Sequence, residues 1–542
     1  MTDNESPCLI ETGQGLSLCF HERFLYSRRN PKKNIEQLVT ALEILPQTIV
    51  VAISPALGYG VQTLLDKLPY GTLVLAVEAE QSLADITEQH LSPAALNDPR
   101  FLFFRYSGIK KAMELLLAHP LWPFRRCIKI DFSAGAIFHQ DVYNSLVFYI
   151  DDLISSWWKN RLTMIRLGRN YYKNLFVNLG QQELRTLASW PCITKPVVIA
   201  GSGPSLTSAI PMIKKQRADI TLIVVDTALY ILLENKITPD AVVIMESQFW
   251  IEYAFIHTVN TGIPVWADIS ARGAAAERTG GHVYYFSSLF ERGNLVNRLD
   301  QQRLLPMPIP PLGSVGVAAA YLALEKRKQG VPVLCCGLDF SFSQGFTHAT
   351  GAMATWILPT DRFTPVNCPP PSILAGVETI NGSMHTNPAL YSYMQLFKAF
   401  ISEAKDLYIH AHTPLDLGAP RISDEHWSKI VSTFTPNGFA TIQTETSNHN
   451  SREHFLEKEK ENLERILEIC SGCTGTAGST EELLELIEKA DYLYASFPDG
   501  HLGPRADQDF LNRIRASAAF FLKTINLSAI LGFKHSEKGR LG

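Results

Sequence analysis

KPVVIAGSGPSL, running from Lys195 to Leu206, decides the fold of this chain. Val197 to Ala200 is a short apolar run rich in β-branched residues, the pattern of a strand buried on both faces. It ends in Gly201-Ser202-Gly203-Pro204-Ser205, where two glycines allow close approach of a ligand to the backbone and Pro204 presets the turn. Ser205 or Thr207 is placed to cap the helix expected next. The amides of a helix start carry positive partial charge, which suits the loop to phosphate. A second strand, Leu222 to Val225, delivers Asp226 roughly twenty residues past the glycines, where Rossmann-type sites hold a ribose-binding acid. A third, Ala241 to Met245, delivers Glu246 at the same edge. Strand, glycine turn, helix, strand and acid together spell a nucleotide pocket. The third glycine of the dinucleotide fingerprint is missing and no Walker lysine follows. A tight strand-to-helix connection is the plain alternative.

Working outward, the chain has 542 residues, enough for two to four domains, and the composition of an ordinary globular protein. A formal net charge of -4 gives no electrostatic reason to expect nucleic acid or an anionic membrane as partner. No apolar run reaches the ~20 residues of a membrane span. The polar start MTDNESPCLIETGQG is unlike a secretory signal, which points to the cytoplasm. Nine scattered cysteines fit free thiols in a reducing compartment. Cys470 and Cys473 form the one CxxC; with no second pair, no metal site is expected.

The sequence predicts an α/β protein with a central Rossmann-like parallel sheet, a second Rossmann-like N-terminal unit and a helical C-terminal region. Residues 1–140 form the N-terminal α/β domain, with strands Thr48–Ile53, Thr72–Val77, Phe101–Arg105 and Cys127–Phe132 alternating with helical patterns. Gly58, Gly60 and Glu78 mimic a nucleotide pocket there, but a purely scaffolding role is favoured. Residues 141–190 are a helical connector whose Trp157, Trp158, Tyr171 and Tyr172 are assigned to packing rather than to stacking on a ligand. Residues 191–420 form the central Rossmann-like domain, which carries the nucleotide pocket. In it, PPLGSVG brings Gly313 and Ser314 to a second small-residue helix start. GLDFSFSQGFTHATG carries Asp339 and, nine residues on, His348. NGSMHTNPALYSYM carries His385, with Thr386 as cap and Pro388 in the first turn of a long helix. Residues 421–542 form a helical domain in which Ser479 to Glu482 fits a capping box.

Taken together, GSGPSL, LIVVDTALYILLENKITPDAVVIME, PPLGSVG, GLDFSFSQGFTHATG and NGSMHTNPALYSYMQLFKAFI resemble the motility accessory factor (Maf) family, whose central domain is grouped with archaeal 6-hydroxymethylpterin diphosphokinase-like proteins. The resemblance covers about residues 190–420. It implies a flagellin glycosyltransferase moving a nonulosonic acid, of pseudaminic or legionaminic type, from its CMP-activated form to Ser or Thr hydroxyls. The central domain is also similar to bacterial sialyltransferases that open with a G-x-G-P-S loop. On that likeness Gly201, Ser202, Gly203 and Ser205 hold the CMP phosphate or ribose, Asp226 and Glu246 lie near the nucleoside, and Gly313 and Ser314 contact the nucleotide. Asp339 matches the aspartate of the relatives' G-I-D-F element, which they follow with a phosphate-stabilising tyrosine where this chain has Ser341. Their general-base histidine lies farther downstream than His348, so His348 and His385 are both candidate bases.

The chemistry implied is inverting transfer without metal or other cofactor. A keto-sugar leaves CMP through an oxocarbenium-like transition state, backbone amides stabilise the departing phosphate, and a histidine takes the acceptor's proton. Two other functions compete. ATP-dependent diphosphoryl transfer to a hydroxymethylpterin would use Asp226, Glu246 and Asp339 on magnesium. A non-enzymatic flagellin-binding factor would keep the fold without the activity.

Overall fold

The computed structural model describes residues 6–288, 293–343, 347–352, 378–381, 384–402, 404–434, 449–471 and 479–538. They group into two compact units, Met1–Thr163 and Met164–Gly542. The segments 191–420 and 421–542 anticipated from the sequence both fall within the second unit. The helix Gln140–Leu179 starts in the first unit and ends in the second. No helix among the described residues is long and apolar enough to cross a membrane.

The first unit opens with an antiparallel three-stranded sheet, β1 (Cys8–Glu11), β2 (Leu16–Phe20) and β3 (Arg23–Phe24). Its larger sheet is wholly parallel: β4 (Thr48–Ile53), β5 (Leu73–Glu78), β6 (Phe101–Arg105) and β7 (Arg126–Asp131), in the order β6-β5-β4-β7. Alternate residues of β4 and β5 feed different cores. Ile49, Val51, Leu73 and Leu75 go to one face, and Val50, Ala52, Val74 and Ala76 to the other. A strand covered on both faces has no polar alternation, which is why these runs were readable as strands. Glu78 at the end of β5 is 1% exposed and takes hydrogen bonds from Tyr143 Oη (2.7 Å) and Ser54 Oγ (2.8 Å). Burial raises its pKa. A Cβ on Gly60 would lie 3.0 Å from Ile35, and one on Gly58 3.2 Å from the His90 carbonyl. Both glycines of the nucleotide-like pattern are thus hemmed in by residues of their own unit. Trp158 packs as assigned, donating to the Phe124 carbonyl at 2.6 Å beneath the Arg125 guanidinium.

The second unit is built on a nine-stranded sheet. Its members are β8 (Arg185–Thr186), β9 (Val197–Ala200), β10 (Thr221–Val225), β11 (Ala241–Ile244), β12 (Val265–Asp268), β13 (Val283–Ser288), β14 (Pro308–Ile309), β15 (Val333–Cys336) and β19 (Leu407–His410). The order is β14-β13-β12-β11-β10-β9-β15-β19, with β8 also on β13, and every pairing is parallel. The chain walks outward from β9 to β14, then returns to lay β15 and β19 on the other side. The winding therefore reverses between β9 and β15, and open parallel sheets bind ligands outside their strand ends at such a point. Three short strands, β16 (Phe342–Ser343), β17 (Glu378–Asn381) and β18 (Met384–Thr386), form a separate antiparallel sheet.

The C-terminal helices join the core of this unit. Tyr492 packs its ring 5.0 Å from Phe176 and 5.0 Å from Phe521. Asp491 accepts from the amides of Asn294 and Leu295, capping the helix Asn294–Gln301. Arg298 on that helix forks onto Glu459 at 2.7 and 3.1 Å, and Tyr492 Oη adds a third bond at 3.0 Å. Glu459 is 1% exposed, so its charge depends on these partners. Arg298→Ala is expected to cost about 2–3 kcal/mol in urea unfolding, below the full penalty of an orphaned buried charge because the arginine side is partly wet. Replacing both partners by Met and Leu should restore most of that loss. Equal stability of the single and double variants would contradict this account. Arg452, 2% exposed, donates to the carbonyls of Leu179 (2.6 Å), Gln181 (2.7 Å) and Gln182 (3.3 Å), closing the end of the long helix. Ser479 caps its helix through the Glu482 amide at 3.0 Å, as expected. Cys473 lies outside the described residues.

Candidate functional site

The loops after β9 and β15 are pressed together at the reversal point. Gly201 N donates to Cys336 O and Gly203 N to Gly337 O, both at 2.8 Å. A Cβ on Gly201 would stand 2.3 Å from Gly337 O, and one on Gly203 2.4 Å from Asp339 Oδ2. Gly337 is itself left-handed at φ +66, with its own Cβ position 2.1 Å from Gly201 O. The glycines are therefore required by the neighbouring loop, rather than only by the approach of a ligand as the sequence suggested.

Asp339 is the clasp. It is 2% exposed, and its Oδ2 accepts from Ser205 N (2.9 Å) and Ser205 Oγ (3.0 Å), while Oδ1 accepts from His412 N (3.2 Å). Burial raises its pKa; the hydrogen bonds from Ser205 and His412 oppose the rise. The capping expected of Ser205 or Thr207 takes another form. Ser205 is in the helical region with no side-chain cap, because Asp339 reaches across to take its amide. Ser205 Oγ instead donates within this cluster and accepts from Gly337 N at 2.9 Å. Thr207 Oγ1 accepts from Thr350 N at 3.2 Å.

Ser202 joins two strand ends. Its hydroxyl accepts from Thr227 Oγ1 at 3.0 Å, and its carbonyl accepts from Ala349 N at 2.8 Å. The second bond lays the segment carrying His348 on the glycine loop. His348 is half-buried, with Nδ1 3.1 Å from Thr347 Oγ1, and burial lowers its pKa. A neutral imidazole at physiological pH is the form a general base needs. His385 lies on β18, 7% exposed, its ring 5.9 Å from Phe342. Thr386 does not cap the next helix: its hydroxyl donates to Phe340 O at 2.9 Å, and Asn387 accepts from Leu390 N instead.

Asp226 follows β10 and is 3% exposed, accepting from Thr227 N at 2.6 Å. Burial, reinforced by the charge of Glu246, raises its pKa to about 7. Both acids follow neighbouring parallel strands, β10 and β11, at the same edge of the sheet. Glu246 Oε1 accepts from Gln248 N at 2.9 Å. Asp268 at the end of β12 is spent on the amides and hydroxyls of Ser270 and Ser288. Gly313 is left-handed, and a Cβ there would meet the Tyr393 ring at 2.9 Å. Ser314 caps the helix Val315–Lys326 through Gly316 N, and Gly316 sits against Leu338. This turn too packs directly on the loop that follows β15.

Several residues escaped the sequence reading. Asn174 Nδ2 donates to the carbonyls of Ser247 and Ser270 at 3.0 Å each, and Asn178 Nδ2 to those of Ile269 (2.8 Å) and Ala271 (3.0 Å). Two buried amides one turn apart on an apolar face were the available signal. His412, past the end of β19, has Nε2 3.3 Å from Ser208 Oγ. His410 pairs with Asp424 at 3.0 Å, and both histidines line an open cleft of about 550 Å³ with Ser423, Asp424 and Glu425.

The family described as 6-hydroxymethylpterin diphosphokinase MptE-like matches residues 169–345. An uncharacterized protein of Treponema pallidum (strain Nichols) is 30% identical over 547 residues, covering 96% of this chain and 95% of that protein. The solved MAf glycosyltransferase of Magnetospirillum magneticum AMB-1 is 14% identical, with a TM-score of 0.56 over 98% of this chain and 92% of its own. At that identity the likeness is one of fold. This chain belongs to one family with the Treponema pallidum protein, carries an MptE-like domain at residues 169–345 and shares its fold with the Maf glycosyltransferase, the family its motifs resemble.

Proposed function

We propose that the chain is a cytoplasmic glycosyltransferase that moves a nonulosonic acid from a CMP-activated donor to Ser or Thr hydroxyls of flagellin, inverting and without a metal. One observation carries the reading. In a chain folded end to end like a Maf glycosyltransferase, the glycine loops after β9 and β15 lock together where the sheet reverses its winding, with Asp226 and Glu246 at the next two strand ends along the same edge. Ser202 contacts the donor phosphate, and Gly201, Gly203, Ser205 and Asp339 hold the loop in shape for it. Asp226 and Glu246 accept from the nucleoside. Ser314 and its left-handed neighbour Gly313 border the same pocket. His348, neutral and fixed beside Ser202, takes the acceptor's proton as the sugar departs. His385 is the rival base. The transition state carries growing negative charge on CMP, which the positive end of the helix Leu206–Lys215 favours.

The test is transfer to purified flagellin, followed by intact-mass spectrometry. His348→Ala should lose transfer while still binding CMP. If His348→Ala transfers normally and His385→Ala does not, the base is His385. If both transfer normally, no histidine on these loops is the base, and His412 is the next to replace. Flagellin of unchanged mass with every CMP-sugar tried would end the transferase reading.

The MptE-like match favours a second reading, ATP-dependent diphosphoryl transfer to 6-hydroxymethylpterin. Asp226 and Glu246 are then the metal-holding pair. ATP consumption that depends on both the pterin and magnesium would establish it.

A further inference from the structure

We propose that the open cleft beyond β19 seats a basic side chain, arginine or lysine, of the acceptor polypeptide and so lays the acceptor beside the glycine loop. The inference rests on the donor reading above and gives it an acceptor subsite. Position comes first. β19 pairs in parallel with β15, so the cleft opens at the same sheet edge as the loops after β9 and β15. Its wall is tied to the clasp: His410 O accepts from Ser205 Oγ at 3.2 Å, and His412 N donates to Asp339 Oδ1 at 3.2 Å. The His412 ring reaches back to the helix Leu206–Lys215, with Nε2 3.3 Å from Ser208 Oγ.

Chemistry selects the occupant. Ser423 caps the helix Asp424–Thr433 through His426 N at 3.3 Å, which sets Asp424 and Glu425 in its first turn. Both acids line the cleft, and among the described residues no lysine or arginine does. They repel a CMP-activated nonulosonic acid, whose phosphate and sugar carboxylate are both negative. The cleft is thus left for the acceptor. Among its lining residues, the buried atom without a partner is an acceptor as well. His410 is 5% exposed, and its Nε2 stands 3.0 Å from Asp424 Oδ1. A carboxylate only accepts, so that nitrogen carries the proton and Nδ1 of the neutral ring is a bare lone pair. This Nδ1 has no partner among the described residues. An ammonium or guanidinium supplies both the donors and the charge that this set lacks. An open cleft of about 550 Å³ also admits a side chain still attached to its backbone.

The experiment is calorimetric titration of the full-length chain with two blocked pentapeptides. One is acetyl-Gly-Ser-Gly-Arg-Gly-amide; the other carries citrulline, which keeps the shape of arginine without its charge. The arginine peptide should bind about 3–10-fold more tightly than the citrulline peptide, and Glu425→Gln should remove about 2–5-fold of that preference. Equal binding of the two peptides, or binding of neither, overturns the proposal. So does a preference untouched by Glu425→Gln. Free arginine binding as tightly as the peptide would confine the site to a small cation and overturn the polypeptide part. A chain that fails to bind CMP refutes the donor reading and, with it, the acceptor role given to the cleft. Equal binding of the two peptides to a chain that binds CMP refutes this proposal alone.

Discussion

Gly201→Ala is expected to unfold the switch-point loops and abolish binding of CMP. The added methyl would lie 2.3 Å from Gly337 O, 2.6 Å from Leu338 Cδ2 and 2.9 Å from Gly337 C. A flexible side chain would yield, but here the obstacle is backbone. That backbone is held by Gly201 N–Cys336 O, by Gly203 N–Gly337 O and by the three bonds to Asp339. Overpacking typically costs about 1–3 kcal/mol. Here the loss should exceed about 3 kcal/mol, because accommodation means parting two paired loops. Urea denaturation and CMP titration would read both effects. Ser202→Ala is the companion: its side chain lies outside the clasp, so stability should fall by no more than about 1 kcal/mol while CMP binding weakens. A Gly201→Ala protein that melts like wild type would refute the account of these glycines.

Asp226 should make stability fall as pH rises. Its carboxyl is held near 7 in the folded chain against an ordinary value of 3.8. Between about pH 4 and pH 7 the native state keeps a proton that the unfolded chain has released, so raising pH through that window favours unfolding. Below the window both states are protonated, and above it both are ionised. The penalty above pH 7 amounts to at most about 4 kcal/mol. Asp226→Asn removes the ionisation while keeping an oxygen for Thr227 N, which lies 2.6 Å away. Thermal melts should show the variant clearly more stable than wild type at pH 8 and equal to it at pH 4. A shift of the same size at both pH values would mean that burial does not hold the proton on this acid.

Much of the scaffold was written into local composition. β9, β10 and β11 are short runs rich in β-branched residues, and a strand covered on both faces announces itself by lacking polar alternation. The acids Asp226 and Glu246 could be placed because a parallel strand delivers whatever follows it to a common edge. What stayed hidden depends on which loop lies beside which. The sequence marks Gly201 as permissive but cannot say that its missing side chain makes room for Gly337. Asp339 looked like a site acid, and the structure spends it on Ser205 and His412. Tyr171 and Tyr172 are neighbours of one type, and only the fold shows that Tyr172 enters the core against Tyr492. The C-terminal helices showed an apolar face without naming its partner, which proved to be the same core. The segment 353–377 lies outside the described residues.

The guanidinium of Arg452 has a consequence for biosynthesis. It satisfies three carbonyls where the long helix ends, yet it is encoded some 270 positions later. A ribosome that has released everything through β19 has still not supplied that donor, nor Glu459 for Arg298. Completion of the sheet-bearing half is thereby timed to the end of translation, and a transcript cut short before Arg452 would yield a product open to proteolysis at that helix terminus.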